Sequence, residues 1–212
     1  NLVVLVGGSG LYIDAILKGL DTFPKIEKSI REQLNKDLKT SGLLSLQKKL
    51  KVLDRVSYEN IAIDNPHRVK RALEICIGTG EPYSSFLRKD KGQRPFKTIT
   101  VGLTAERDII YQRINDRVDN MMKDGLLLEV KNLIEHKKFN ALNTVGYKEL
   151  FQFIDNTITL DKAVSEIKKN TRRYAKRQLT WFNKNSDIQW FNINDNVNTI
   201  IDYINEKTQF KK

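Results

Sequence analysis

The stretch VLVGGSGLYIDAIL, residues 4–17, decides how this chain is read. An apolar run breaks into Gly7-Gly8-Ser9-Gly10 and then resumes with the spacing of a helix. Strand, glycine-rich turn and helix, in that order, make the layout of a phosphate loop. Yet the turn is neither G-x-x-x-x-G-K-[ST] nor G-x-G-x-x-G. The stretch therefore predicts an α/β fold and leaves open what the turn holds. Residues 2–6, continuous and rich in Val, read as a strand of a parallel sheet covered on both faces. A helix is expected over residues 9–18.

Outward from that stretch, Phe23-Pro24 ends the first helix, and residues 25–62 are highly charged with a helical period. Ile30 and Leu34 mark one face. Leu43, Leu44, Leu46, Leu50 and Leu53 mark a second helix after Gly42. This predicts a helical insertion at 23–62, with 1–22 and 63–212 forming the α/β core. Asn65-Pro66 is a helix start, with Asn as N-cap and Pro at the first helical position. Val69, Ala72, Leu73, Cys76 and Ile77 then line one face. Residues 84–95 are polar and read as mobile. Residues 97–103 alternate and read as a second strand. Helices are expected at 106–123, 126–136, 147–154 and 160–184, a third strand at 188–191 and a last helix at 197–206. Strands separated by long helical stretches predict a parallel sheet with helices on both faces. Three strands are few for such a sheet, so further strands and an N-terminal piece are expected before Asn1.

The chain has 37 Lys and Arg against 26 Asp and Glu, a net charge of +11. So strong an excess points to a polyanionic partner, most simply nucleic acid. One cysteine, Cys76, excludes an internal disulfide and a zinc finger. No apolar run approaches the roughly 20 residues of a membrane span. His67 and His136 stand alone, without metal-ligand spacing, and no Ser-His-Asp or Cys-His set is evident.

The charge is arranged. In KKNTRRYAKRQLTWF, residues 168–182, Lys168, Lys169, Arg172, Arg173, Lys176 and Arg177 cover one half of a helix. Val164, Ile167, Tyr174, Trp181 and Phe182 cover the other half, which is expected to face the core. Cations without interleaved acids suit a phosphate backbone better than a merely solvated face. Thr171 and Gln178 fall within the apolar arc. Gln178 either bonds a neighbouring element or lines a polar cavity. Arg113 and Arg117 lie four apart, with Arg117 beside the seam of Ile110, Ile114 and Met121. That suits bidentate binding of a phosphate or carboxylate; an ion pair with Asp116 or Glu129 fits the spacing equally well. Arg68 and Arg71 share a face near a positive helix N-terminus. In Gly146-Tyr147-Lys148, Gly146 reads as an N-cap or a close-approach point and Lys148 as a phosphate contact.

GGSGLYIDAILKGL, DNPHRVKRALEI, RINDRVDNMMKDGLLLEV, LNTVGYKEL and NTRRYAKRQLTWF, in this order, closely resemble the tRNA dimethylallyltransferase (tRNA isopentenyltransferase) family from residue 3 to about residue 182. The resemblance implies a P-loop-type α/β core with a helical insertion. It implies transfer of a dimethylallyl group from its pyrophosphate to N6 of the adenine 3′ of the anticodon, flipped into a channel. Gly7, Gly8 and the hydroxyl of Ser9, where most relatives carry Thr, would then lie at the channel beside the reacting groups. Tyr12 and Arg113 go with substrate binding, and Arg117 matches the Arg that binds pyrophosphate. Arg31 matches a tRNA-contacting Arg of the insertion. His67, Arg68, Lys70 and Arg71, then Gly146, Tyr147 and Lys148, then Arg172, Arg173, Lys176, Arg177 and Gln178 match segments lying along the tRNA. The family's P-loop, its Mg²⁺-binding hydroxyl and its catalytic Asp have no counterpart in these 212 residues. The chain is thus expected to be the C-terminal two-thirds of a cytoplasmic enzyme that is a monomer when full length, and to be inactive alone. A P-loop small-molecule kinase with Arg113 and Arg117 as lid arginines, and a non-catalytic RNA-binding module, are the alternative readings.

Overall fold

The computed structural model describes residues 2–87 and 94–208. They form two compact units, one of Leu11–Phe96 and one of Asn1–Gly10 with Lys97–Lys212.

In the first unit, helix α1 (Gly10–Lys18) leads to α2 (Lys28–Leu53), which is broken within its length at Gly42, φ 72°, ψ 175°. That conformation is reached without strain only by glycine. It lets Leu34 before the break and Leu46 and Leu50 after it pack together on Val69, Ala72, Leu73 and Cys76 of α4 (Pro66–Thr79). Each buried leucine contributes about 1.5–3 kcal/mol by leaving water. Helix α4 starts as its sequence predicts, with Asn65 Oδ1 accepting the His67 N–H at 3.0 Å. Between α2 and α4 lies α3 (Arg55–Asn60), capped by Asp54. A 3₁₀ turn follows at Tyr83–Phe86; of the segment 84–95 read as mobile, residues 88–93 lie outside the described residues.

In the second unit, β1 (Thr100–Thr104) and β2 (Ile188–Asn192) pair in parallel, from Thr100 opposite Ile188 to Thr104 opposite Asn192. Gly102 stands opposite Trp190, and a Cβ there would lie under 3.0 Å from the indole. The crossover between the strands is α5 (Arg107–Lys123), α6 (Leu126–Asn132), α7 (Tyr147–Ile154) and α8 (Leu160–Phe182). Val118, Leu126, Val130, Leu150, Phe151, Ala163 and Ile167, at least one from each of the four, form its core. Helix α9 (Val197–Thr208) follows β2 and sets Tyr203 edge-on to Phe191.

The fold class is the expected one, α/β with a parallel sheet. One expected strand is not. Residues 2–6 pair with nothing among the described residues, and Leu2, Val3, Val4, Leu5 and Val6 are 53–88 % exposed. A strand persists by matching its backbone N–H and C=O groups to a neighbour. Among the described residues β1 and β2 pair only with each other. Apolar composition alone predicted the segment and cannot supply its partner.

Candidate RNA interface and reaction loop

The turn at Gly7–Gly10 is built against α8. The Gly8 carbonyl accepts a hydrogen bond from Gln178 Nε2 at 2.7 Å. A Cβ on Gly8 would lie under 3.0 Å from that same amide, and one on Gly10 under 3.0 Å from the Trp181 ring. Gly8 and Gly10 therefore serve close approach, whereas Gly7 faces open space. Of the two roles open to Gln178, the fold realises the bond to a neighbouring element. Ser9 is exposed, and its hydroxyl has no partner among the described residues. Tyr12, on α1, is 75 % exposed.

Arg113 and Arg117 lie one turn apart on α5, both exposed, with no hydrogen bond or ion pair among the described residues. The acids that could have paired with Arg117 are engaged elsewhere. Asp116 accepts from Gln112 at 2.8 Å, and Glu129 accepts from the Tyr147 hydroxyl. That bond with Glu129 raises the Tyr147 pKa. Arg117 is not half-sheltered as its neighbours suggested. The buried position at this level of α5 belongs to Val118, and one residue's rotation turns Arg117 outward.

The basic stripe of α8 divides in two. Lys168 pairs with Asp119 of α5 at 2.7 Å, and Lys169 with Glu166 one turn back. Arg172 donates to Asn115 at 2.8 Å and sits 5.8 Å over the Tyr111 ring. The hydrogen bond from Lys169, then Lys162, holds the Glu166 carboxyl below its usual range. The expected absence of acids is thus corrected. The preceding turn supplies Glu166, three residues before Lys169, and α5 supplies Asp119, which linear spacing along the stripe does not reveal. Arg173, Lys176 and Arg177 remain exposed, with Arg177 5.6 Å over the Tyr174 ring. The apolar half of α8 is likewise shorter than expected. Ala163 and Ile167 are buried, but Tyr174 and Trp181 are each 42 % exposed. Asp119, Asn115 and Glu149 of α5 and α7 reach α8 no further along than Arg172.

At the start of α7, the Gly146 N–H donates to Glu149 Oε2 at 2.9 Å. Asn170 Nδ2 donates to Glu149 Oε1 at 2.7 Å, and Arg173 Nη1 reaches Asn170 Oδ1 at 3.4 Å. A buried carboxylate thus ties the Gly146-Tyr147-Lys148 turn to an exposed arginine of α8. Lys148 is itself exposed and lines an open depression with Lys137, Lys138, Phe139 and Asn143.

In the Leu11–Phe96 unit, His67 and Arg68 are exposed, and Lys70 donates to Asn35 Oδ1 at 2.6 Å. Arg31 of α2 and Arg71 of α4 converge on Glu74, which is 6 % exposed. Arg31 Nε and Nη2 each lie 2.8 Å from Glu74 Oε1, and Arg71 Nη1 lies 3.3 Å from Oε2. The Arg71 guanidinium also rests 5.2 Å over Phe23, whose ring stacks on Tyr83 at 5.1 Å. A second buried acid, Asp54, accepts four hydrogen bonds from the N–H and hydroxyl groups of Ser57 and Ser84. Burial pushes its carboxyl up, and the bonds from Ser57 and Ser84 outweigh that and hold it below the usual range. None of Asp54, Glu74 and Glu149 was singled out from sequence. Gly146-x-x-Glu149 and Asp54-x-x-Ser57 do carry capping spacing that could have flagged two of them.

Among the described residues no three His, Cys, Asp or Glu side chains gather to hold a metal ion. The described residues thus offer no such cluster to the Mg²⁺ that the resemblance implies. None of the described helices is long and apolar enough to cross a membrane.

An α/β unit thus carries a glycine turn docked on a basic helix, and a helical unit carries its own arginine cluster. The IPP transferase family matches residues 1–185. A tRNA dimethylallyltransferase of Christiangramia forsetii is 57 % identical over 98 % of this chain and 68 % of its own length. One of Flavobacterium psychrophilum is 50 % identical over 98 % of this chain and 69 % of its own. The full-length tRNA isopentenylpyrophosphate transferase of Bacillus halodurans superposes with a TM-score of 0.58 at 33 % identity, over 94 % of this chain and 63 % of that one. A eukaryotic dimethylallyltransferase solved acting on tRNA shares the fold, with a TM-score of 0.72 at 23 % identity over 96 % of this chain and 56 % of that one. The chain belongs to the IPP transferase family.

Proposed function

We propose that the whole protein transfers a dimethylallyl group from dimethylallyl pyrophosphate to N6 of the adenine 3′ of the anticodon in tRNA. The observation that carries this reading is a pair of exposed, unengaged guanidinium groups, Arg113 and Arg117, on a chain whose relatives at 57 % and 50 % identity are tRNA dimethylallyltransferases. As the bond from the allylic carbon to the pyrophosphate oxygen breaks, negative charge builds on the leaving group. Forked, uncommitted donors held on a rigid helix are suited to that charge. The free hydroxyl of Ser9 is available to substrate because neither a helix cap nor packing uses it. Gln178 fixes the loop that carries it. The N6 amine attacks the allylic carbon and gives up a proton to a base. The buried acids Asp54, Glu74 and Glu149 are occupied by donors and do not take that part.

RNA binding falls to the exposed cations. Arg173, Lys176 and Arg177 on α8, Lys148 on α7, and Arg31, Arg68 and Arg71 in the helical unit contact phosphates. Extruding the adenine costs a few kcal/mol, and this remote binding offsets it. The protein acts as a monomer on anticodon stem-loops in the cytoplasm, with Mg²⁺ held by residues outside those described. Residues 1–212 contain no G-x-x-x-x-G-K-[ST] sequence to cradle pyrophosphate, so this stretch alone is expected to give no transfer. The test is mass spectrometry of tRNA incubated with the full-length protein and dimethylallyl pyrophosphate. A gain of one prenyl group on the adenine is expected. No gain, with phosphoryl transfer from ATP to a small molecule instead, would turn the assignment to a kinase.

A further inference from the structure

Glu74 is a buried acid in the middle of a basic surface, which is an odd place for one if that surface only has to attract phosphate. It is 6 % exposed, on the helix opened by Asn65-Pro66, and both of its oxygens are taken by arginines. Arg31 reaches Oε1 through Nε and Nη2 at 2.8 Å, from α2, and Arg71 reaches Oε2 through Nη1 at 3.3 Å. The two side chains are nevertheless 64 % and 42 % exposed. Each guanidinium is therefore gripped on one edge and open on the other. Arg71 is gripped on its face as well, 5.2 Å over Phe23, which is backed by Tyr83 in a parallel stack.

We infer that Glu74 is a positioning residue for RNA binding: it fixes Arg31 and Arg71 as a rigid pair whose free N–H edges together receive phosphate. This rests on the reading of Arg31 and Arg71 as RNA contacts. The physical basis is entropy. A free arginine carries substantial rotamer entropy, and ordering it at an interface uses up part of the binding free energy. Two arginines already held at one carboxylate have lost most of that freedom before RNA arrives. The carboxylate also sets their separation, because both must meet the same group.

The alternative, that Glu74 merely ties α2 to α4, predicts the opposite sign in a binding assay. A carboxylate near phosphates repels them, so removing its charge would by itself tighten RNA binding. The positioning role predicts weaker binding despite the added positive charge. In the full-length protein, Glu74→Gln is measured against an anticodon stem-loop RNA across a salt series. The expected result is about tenfold weaker binding, with the slope of log K against log salt reduced by about 0.7–0.9 for each phosphate that the arginines no longer reach. Glu74→Asp keeps the charge and shortens the arm by one methylene. It should weaken binding and flatten the slope in the same direction, and it serves also if the Gln variant fails to fold. Equal or tighter binding in a folded variant overturns the proposal. So does weaker binding at unchanged salt slope with a lowered unfolding temperature. The double variant Arg31→Ala, Arg71→Ala separates the two layers. If it leaves RNA binding unchanged, the underlying reading of those arginines fails. If it weakens binding while the Glu74 variants do not, only the positioning role fails.

Discussion

Replacing Asp54 by Asn tests the helical unit at its most saturated polar contact. Asp54 is 4 % exposed. Its Oδ1 accepts the Ser57 N–H at 2.9 Å and the Ser84 hydroxyl at 2.9 Å, and its Oδ2 accepts the Ser57 hydroxyl at 2.6 Å and the Ser84 N–H at 2.7 Å. An asparagine has one oxygen and one amide nitrogen. Either flip turns the nitrogen toward one hydroxyl, which can rotate to accept, and toward one backbone N–H, which cannot. One buried donor is orphaned whichever way the amide lies, at about 1–3 kcal/mol. The surviving bonds lose their charge assistance, about 1 kcal/mol more. A total of about 2–4 kcal/mol should raise the opening of the 54–87 segment by roughly 30- to 1,000-fold, since each 1.4 kcal/mol is tenfold. Hydrogen exchange read on peptides from that segment at pH 7 measures it directly. The sign with pH follows from the lowered folded pKa. A carboxyl whose pKa falls on folding contributes stability above its unfolded value, about 3.9, and loses it as pH falls through the folded value. The gap between wild type and variant should therefore hold from pH 7 to about 5 and close at lower pH. Wild-type protection in the variant at pH 7, or a gap that persists undiminished at pH 3, would refute the reasoning.

Arg117→Ala in the full-length protein should weaken pyrophosphate binding and the chemical step by about 1.5–3 kcal/mol, the worth of a charge-assisted bond, while tRNA affinity barely changes; tRNA binding that collapses with normal donor binding would put Arg117 in the wrong role. Alanine at Arg173, Lys176 and Arg177 should flatten the salt slope for anticodon stem-loop binding by about 0.7–0.9 for each phosphate released. Alanine at Lys168 and Lys169 should flatten it less, because Asp119 and Glu166 already hold those two. Gly10→Ala should force the Trp181 indole aside, at about 1–3 kcal/mol for overpacking, and should show as a shifted tryptophan emission together with reduced transfer; emission and turnover both at wild-type level would mean the loop does not depend on this approach.

What the sequence disclosed depended on whether a signal was local. Asn65-Pro66 and the break at Gly42 are written in single residues whose backbone preferences act where they stand, and the structure places both where they were read. The parallel pairing of β1 with β2 was legible because long helical stretches between strands allow little else. Residues 2–6 misled because a strand is half of a pairing, and the other half is not encoded in its own composition. Tyr174 and Trp181 misled in the same way, since an apolar arc states a preference for burial and not the extent of the neighbour that would provide it. The partition of the α8 cations into engaged and free was illegible, because Asp119 and Asn115 lie about fifty residues away and meet the stripe only once α5 packs on α8. Glu74 was hidden by its setting, one acid among Arg68, Lys70 and Arg71 that reads as a solvated charge until Arg31 arrives from another helix.

The parallel pairing has a consequence during synthesis. Thr100 meets Ile188, so β1 leaves the ribosome 88 residues before the strand that completes it. At about 5–20 residues per second, that is a wait of roughly 4–18 s. Local helices form in microseconds, so α5 to α8 can assemble around Val118, Leu150 and Ile167 well within the interval. Their assembly brings the two strand ends together and removes most of the loop-closure cost that β1 and β2 would otherwise meet. The helical crossover is thus the template on which β1 and β2 pair.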